Sequence, residues 1–452
     1  MTTEAGVTTE SGYADALQAL TDRGRFGIRL GLGRTQALLR ELGDPQLGIR
    51  GALVAGTNGK GSVLALTAAA LRAAGIRAGE TPKPHLVTYR ERMQIGGRPI
   101  EPAAFGRLTA AALAAADRIP RRLGEPTEFE LLTAMLFRWF ADEGIDLAVV
   151  EVGLGGRLDA THAWDGGVAA ITNVDLDHTD RLGTTVEAIA REKAAIIERG
   201  DLAVTGATGG ALAVVRRRAA RVGVPLRIVE PAQLLGMDRD GIEVELPGLG
   251  PTRIGLRGRH QAANAAVADA VLDALASAGI ADVPASARRD GYASVRWPGR
   301  LELLQVDGRE NLLDGAHNPA GAATLATALD DLRPHLAPGT ITLLTASMAD
   351  KDVDGIVAAL STSHALRGAR VVATELDLPR AMPAGDLAAR WLANGRAGHV
   401  AAEPDPIQAL DRALADAGGP IVVAGSLYLV GAVRARLVDD PLLRDPDPAA
   451  RR

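Results

Sequence analysis

The stretch ALVAGTNGKGSVLALTAAALRAAG, residues 52–75, decides the fold. A short apolar run feeds a glycine-rich turn and then a long Ala/Leu helix, which is the βα unit of a parallel sheet. Such a turn aims backbone N–H groups and the positive end of the helix at one point, where a phosphate can sit. The spelling is unusual. The familiar phosphate loop sets its first glycine further from the Gly-Lys pair and places Ser or Thr directly after the lysine. Here Gly56-Thr57-Asn58-Gly59-Lys60 is shorter, and Gly61 separates Lys60 from Ser62. The three glycines let the backbone approach an anion, Lys60 neutralises phosphate oxygens, and Ser62 offers a hydroxyl to Mg²⁺. Taken alone, a glycine-rich turn that packs a helix closely on a sheet reads the same way.

The remaining composition narrows the classes. The chain has 452 residues, room for two or three domains of ordinary size. Hydrophobic residues make up 47% and charged residues 23%, as in a globular protein. A net charge of −5 gives no reason to expect a nucleic-acid partner. The absence of cysteine excludes disulfides, thiolate metal sites and cysteine nucleophiles. The polar, acidic start MTTEAGVTTESG lacks the features of a signal peptide, and no uninterrupted apolar run has the length of a membrane span. The expectation is a cytoplasmic, monomeric protein with no membrane partner. Only four of the fifty basic side chains are lysines, namely Lys60, Lys83, Lys193 and Lys351. In a chain that uses Arg for ordinary surface charge, these four mark candidate places where a compact ammonium or a nucleophilic amine is needed.

Working outward from the loop, YADALQALTD and RTQALLRELGD carry apolar residues at helical spacing. DLAVVEVGLGG reads as a strand ending at Glu151, and GGVAAITNVDLDHT as a strand running into an acidic loop with His178. Apolar strands alternating with Ala-rich helices imply an α/β protein with a parallel sheet covered on both faces. Ligands in such sheets bind at the carboxyl ends of strands, where the loop, Glu151 and His178 all fall. The turn Trp297-Pro298-Gly299 opens a second, smaller α/β domain with strands in LELLQV, NLLDGA, TITLLTAS, RVVATEL and PIVVAGSLYLV. The expected division is residues 1–296, 297–440 and a frayed Pro- and Asp-rich tail, 441–452.

A carboxylate at the end of a very apolar strand is costly to bury, and a metal ion would remove that cost at Glu151. An ion pair with Arg157 would do so too. His178 reads equally as a loop histidine or a metal ligand. Lys193, in TTVEAIAREKAAIIERG, suits a solvated helix face with Glu187 or Glu198 as partners. Asp314, His317 and Asn318 in LDGAHNPAG fit either a ribose or phosphate contact or a capped turn. His260, Gln261 and Asn264 in GRHQAANA sit at a helix start.

Together, VAGTNGKGSV, PHLVTYRERMQIGGRPI, TEFELLTAMLF, VVEVGLGGRLDAT, ITNVDLDHTDRLGTTVEAIAREKAAII, GRHQAANA, RWPGRLE, LLDGAHNPAG and GSLYL resemble the folylpolyglutamate synthase/dihydrofolate synthase family of the Mur ligase superfamily. The motifs run in order over nearly the whole chain. The resemblance implies a Mur-ligase-like P-loop ATPase domain followed by a smaller Rossmann-like domain. It implies an ATP-dependent amide ligase that adds L-glutamate to a folate or dihydropteroate carboxylate. Gly56, Thr57, Asn58, Gly59, Lys60, Gly61 and Ser62 would then hold the ATP phosphates. Ser62 with Glu151 would bind one Mg²⁺, and Glu151 with His178 a second. Lys193 matches a lysine that becomes carbamylated. Asn264 would contact adenine, Arg300 the γ-phosphate and Asp314 the ribose, with His317 beside them. The segment 28–46, including Arg34, resembles the part that lines the pterin side; His85 and Glu128 are further substrate candidates. One departure stands out: Pro82-Lys83-Pro84-His85-Leu86 replaces Thr-Ser-Pro-His-Leu, so Lys83 stands where a serine would help hold the second Mg²⁺.

The implied chemistry is phosphorylation of a carboxylate to an acyl phosphate, then attack by the amino group of glutamate. Wall-building Mur ligases carry an additional N-terminal domain, for which about fifty residues before the loop are too few. A P-loop ATPase without ligase activity, or a ligase for another acid, is the competing reading.

Overall fold

The computed structural model describes residues 9–24, 27, 29–416 and 418–446. Ile28, the first residues of the polar start and the last six of the tail lie outside them. The described chain divides into two compact units, each described by itself. The first contains the residues up to Pro231, Ala266–Gly291 and the chain from Pro441; the second contains Ala232–Ala265 and Tyr292–Asp440. Ala232–Ala265, expected with the first domain, thus groups with the second.

The first unit is built on eight strands: β1 (Gly51–Ala55), β2 (Ala78–Thr81), β3 (Gln94–Ile95), β4 (Arg98–Pro99), β5 (Leu147–Glu151), β6 (Gly167–Ile171), β7 (Leu202–Thr205) and β8 (Leu226–Ile228). Their order is β4-β3-β2-β5-β1-β6-β7-β8, parallel from β2 to β8 with β3 and β4 antiparallel at one edge. Every residue of β1 and β5 is buried, as their unbroken apolar sequences require when both faces are covered. Helix Lys60–Ala73 follows β1 and is buried from Ser62 to Leu71, so its Ala/Leu content packs on more than one side. Because β5, β1 and β6 are neighbours, their carboxyl ends place Glu151, the glycine-rich loop and the segment leading to His178 side by side. That is the arrangement the alternation predicts.

The second unit holds an antiparallel sheet, β9 (Gln233–Asp238), β10 (Gly241–Leu246) and β11 (Gly250–Ile254), which the sequence reading missed. Its signal was present in GIEVEL, whose alternation appears as alternating burial from Ile242 onward. The larger sheet contains β12 (Glu302–Val306), β13 (Arg309–Leu313), β14 (Thr342–Thr345), β15 (Arg370–Ala373), β16 (His399–Ala402) and β17 (Ile421–Ala424), in the order β12-β13-β17-β14-β15-β16. PIVVAGSLYLV is strand only as far as Ala424. Gly425 turns at φ 102°, the Ser426 hydroxyl accepts from the Tyr428 N–H, and the rest is helix Leu427–Leu437. A cap and a glycine turn override the apolar run there.

The described part of the tail is anchored, contrary to the frayed segment expected. Buried Arg90 donates to the carbonyls of Leu442 and Arg444 and to the Asp445 carboxylate, which also accepts from the Thr88 hydroxyl at 2.7 Å. Proline and aspartate remove helix and strand options, but a carboxylate can still dock on a buried guanidinium. Arg90→Ala is expected to cost about 2 kcal/mol, because it removes the donor to the Ile100, Leu442 and Arg444 carbonyls and the charge partner of Asp445. Urea unfolding checks this, and limited proteolysis is expected to cut between Pro441 and Pro446 in the variant first.

Candidate active site

Gly56 leaves β1 at φ 154°, and a Cβ there would lie 1.8 Å from the Thr172 hydroxyl. Only glycine lets the loop after β1 and the segment after β6 come this close. Hydrogen bonds then lock them together. Thr172 Oγ1 donates to the Asn58 carbonyl, and Asn58 N–H donates to Asn173 Oδ1. Thr57 N–H donates to the Asn173 carbonyl, and Asp175 N–H to Thr57 Oγ1. Thr172 and Asn173 are site residues the sequence reading did not single out, although they stand in its ITNVDLDHTD motif. Gly59, at φ 83°, precedes the first helical residue, Lys60, so the N–H groups of the first turn point out of the helix at the loop.

Two ammonium groups meet at one loop carbonyl. Lys60 Nζ donates to Gly56 O and Thr57 O, each at 3.1 Å, and lies 4.0 Å from Glu151 Oε1. Lys193 Nζ donates to the same Gly56 O at 2.8 Å. Lys193 is buried, not on a solvated face with Glu187 or Glu198; its helix, Val186–Ala194, turns this side toward the loop. Burial, and then the charge of Lys60, lower its pKa to about 7 against the opposing pull of Asp177 and Asp159. Arg157 pairs with Glu192 at 3.0 Å, so the ion pair weighed for Glu151 is made elsewhere.

Glu151 is buried at the end of β5. Its Oε2 accepts from the Lys83 backbone N–H at 3.1 Å, while Lys83 Nζ donates to the Glu151 carbonyl at 2.6 Å and lies 4.6 Å from the Phe129 ring centre. Burial lowers the Lys83 pKa to about 8, opposed by Asp159 and Glu151. Asp159 was also missed; its carboxylate accepts from the Leu154 and Thr161 N–H groups and acts on both lysines. Three of the four lysines therefore gather at this site, while Lys351 belongs to the second unit.

Among the described residues no group of three or more His, Cys, Asp or Glu side chains is placed to hold a metal. The protein donors available at the loop are the buried Ser62 hydroxyl and the Glu151 carboxylate. That sparse oxygen set suits Mg²⁺, which keeps waters and phosphate oxygens as its other ligands. His178 takes the left-handed conformation at φ 49°, with Nε2 3.9 Å from Asp177 Oδ2.

The expected substrate residues are tied into supports. Arg34 forms a bidentate pair with Glu130 at 2.9 Å, and Glu130 completes a capping box with Thr127. Glu128 stands in the first turn of that helix. His85 Nδ1 accepts from Arg92 at 2.8 Å, and burial with the Arg92 charge lowers its pKa to about 3, so it is a neutral acceptor. Arg92 in turn lines a narrow cleft with Lys83, Phe129, Met93, Leu132 and Leu136.

In the second unit, Asp314 follows β13 and accepts from the N–H groups of Leu301 and Ala316. Burial raises its pKa and Arg300 opposes the rise. His317 Nδ1 lies 2.7 Å from the Gly315 carbonyl, and Asn318 caps helix Pro319–Leu332. Asn264 donates to Gln261 Oε1 at 2.8 Å.

The depressed Lys193 pKa carries a stability signature. Between about pH 7 and the unfolded value near 10.4, the unfolded chain binds the extra proton, so stability rises with pH through that window. In CO₂-free buffer, wild type is expected to gain stability relative to Lys193→Met from pH 7 to 9. A flat difference in urea unfolding would contradict the buried, near-neutral amine.

The chain matches the Mur ligase middle domain over residues 54–272 and the Mur ligase glutamate ligase domain over residues 299–427. It is 33% identical over 436 residues to a dihydrofolate synthase/folylpolyglutamate synthase of Bacillus subtilis, covering 94% of this chain and 99% of that one. Folylpolyglutamate synthase of Mycobacterium tuberculosis, solved with ADP and AMPPCP, superposes with a TM-score of 0.84 at 32% identity, over 96% of this chain and all of that chain (100%). The bifunctional enzyme of Yersinia pestis, solved with AMPPNP and a Mn ion, gives a TM-score of 0.79 at 30% identity, over 96% of this chain and 100% of that one. With a phosphate-type loop on the central strand, a buried carboxylate beside it and similarity along nearly its full length, the chain belongs to the folylpolyglutamate synthase/dihydrofolate synthase family of Mur ligases.

Proposed function

We infer that this chain is an ATP-dependent ligase that joins L-glutamate to the carboxylate of a folate-type acid through an acyl phosphate. The observation that carries the reading is the cluster at the Gly56 carbonyl, where two lysines and a buried glutamate flank a helix N-terminus. Lys60 needs only to rotate off the carbonyls of Gly56 and Thr57 to meet phosphate oxygens arriving at the loop. The acceptor carboxylate oxygen attacks the γ-phosphorus and ADP leaves; the glutamate amine then attacks the acyl carbon, loses a proton, and phosphate departs. Ser62 and Glu151 fit one Mg²⁺, which when bound would neutralise charge on the transferring phosphoryl group. The loop N–H groups and Lys60 act on the same charge.

We assign the phosphates to Gly56–Ser62, adenine to Asn264, the γ-phosphate to Arg300 and the ribose to Asp314, with His317 next to that set. The Asp314 oxygens each accept one backbone hydrogen bond and retain a lone pair for a hydroxyl. Dihydropteroate, tetrahydrofolate or both would be the acceptors, handled by a monomeric cytoplasmic enzyme; the support is the activity named for the relatives that match nearly the whole chain. Lys193 is proposed to add CO₂ with loss of one proton, giving a carbamate; the support is a buried amine already near neutral at pH 7. Intact-protein mass with and without ¹³C-bicarbonate is expected to show one added CO₂ in wild type and none in Lys193→Met.

Lys60→Ala is expected to lower glutamate-dependent ADP release by about a hundred-fold or more, with the circular dichroism spectrum unchanged. Retained ligase activity in this variant, or wild-type ADP release that ignores glutamate, overturns the assignment. The second outcome would favour a P-loop ATPase. Comparing dihydropteroate with tetrahydrofolate in the same assay identifies the acceptor.

A further inference from the structure

We propose that in this chain the Lys83 ammonium stands in for the second divalent cation, so that the site works with one; this rests on the ligase reading above. The second ion was expected to share Glu151 with His178 and to draw a serine hydroxyl from the position that Lys83 occupies. The residues present do not fit that ion. An ammonium has three donors and no lone pair, so Lys83 removes a ligand from the set. It also adds a positive charge that is held in place. Its Nζ is fixed by the Glu151 carbonyl at 2.6 Å and by the face of Phe129 at 4.6 Å. Its backbone N–H occupies Glu151 Oε2, while Oε1 faces Lys60 at 4.0 Å. A divalent ion held by Glu151 and His178 would therefore meet a like charge tethered to the main chain of Glu151.

The substitution keeps the electrostatic role while changing its source. Asp159 and Glu151 both attract the Lys83 charge, which is fixed on the main chain of Glu151 itself. This also accounts for a lysine here in a chain that otherwise spends Arg on positive charge: a guanidinium is planar and larger, and an ammonium is the compact cation nearer in form to an ion. The remaining cation would be held by Ser62 and Glu151, and would neutralise phosphate charge at the loop.

Counting bound Mn²⁺ by electron paramagnetic resonance, in the presence of a non-hydrolysable ATP analogue, tests this without turnover. Wild type is expected to bind one Mn²⁺ per chain, and Lys83→Ser two. Two ions in wild type overturn the proposal regardless of how the variant behaves. One ion in both, with the variant folded by circular dichroism, also overturns it, because removal of the charge and return of a hydroxyl would then restore nothing. If the analogue itself fails to bind wild type, the ligase reading fails and the proposal with it. A chain that binds the analogue with two ions refutes only the replacement.

Discussion

The site depends on one close approach. Gly56 has no side chain, and the space a Cβ would fill is taken by the Thr172 hydroxyl. That contact brings the loop after β1 against the segment after β6, and the hydrogen bonds of Thr57 and Asn58 to Asn173 and Asp175 follow from it. It also turns the Gly56 carbonyl to where Lys60 and Lys193 can both reach it. A carbonyl that satisfies two ammoniums holds cationic charge beside a helix N-terminus, which by itself repels it. The arrangement is prepared for an anion.

The lysines differ in what their surroundings make of them. Lys60 keeps part of its side chain toward solvent, 18% exposed, and can move from the loop carbonyls to a ligand. Lys193 is enclosed, and burial plus its cationic neighbour lower its pKa to about 7. Lys83 is held by the Glu151 main-chain carbonyl and an aromatic face. One residue type thus fills three positions because desolvation and charge partners, rather than sequence neighbours, set the state of each amine.

Around this core, several polar residues serve as supports. Glu130 caps its helix and holds Arg34; His85, neutral, orients Arg92 along the pocket wall. Arg90 clamps the end of the described chain to the first unit through main-chain carbonyls. The buried charges of Glu130 and Arg90 are thereby paired, which avoids the cost of unsatisfied ones. The pocket and the loop can then be shaped by rigid neighbours instead of mobile side chains.

The sequence by itself determined the parallel sheet, the βα unit at its centre and the place of Glu151 and the loop at adjacent strand ends. Apolar runs, glycine turns and helical periodicity are local signals, and the parallel order makes neighbours of those ends. It also sufficed for the family, through nine motifs in order. What only the tertiary structure decided were the partners. The spacing of Lys193 suits an exposed helix face, yet packing buries it on Gly56 O; Arg157 could pair with Glu151, yet it pairs with Glu192. PIVVAGSLYLV carries strand propensity throughout, but Gly425 and the Ser426 cap stop the strand at Ala424. Thr172, Asn173 and Asp159 look like ordinary turn residues until the chain brings them to the loop. Burial and charge state depend on contacts between residues more than a hundred positions apart, such as Asn58 with Asn173, and no local pattern encodes those.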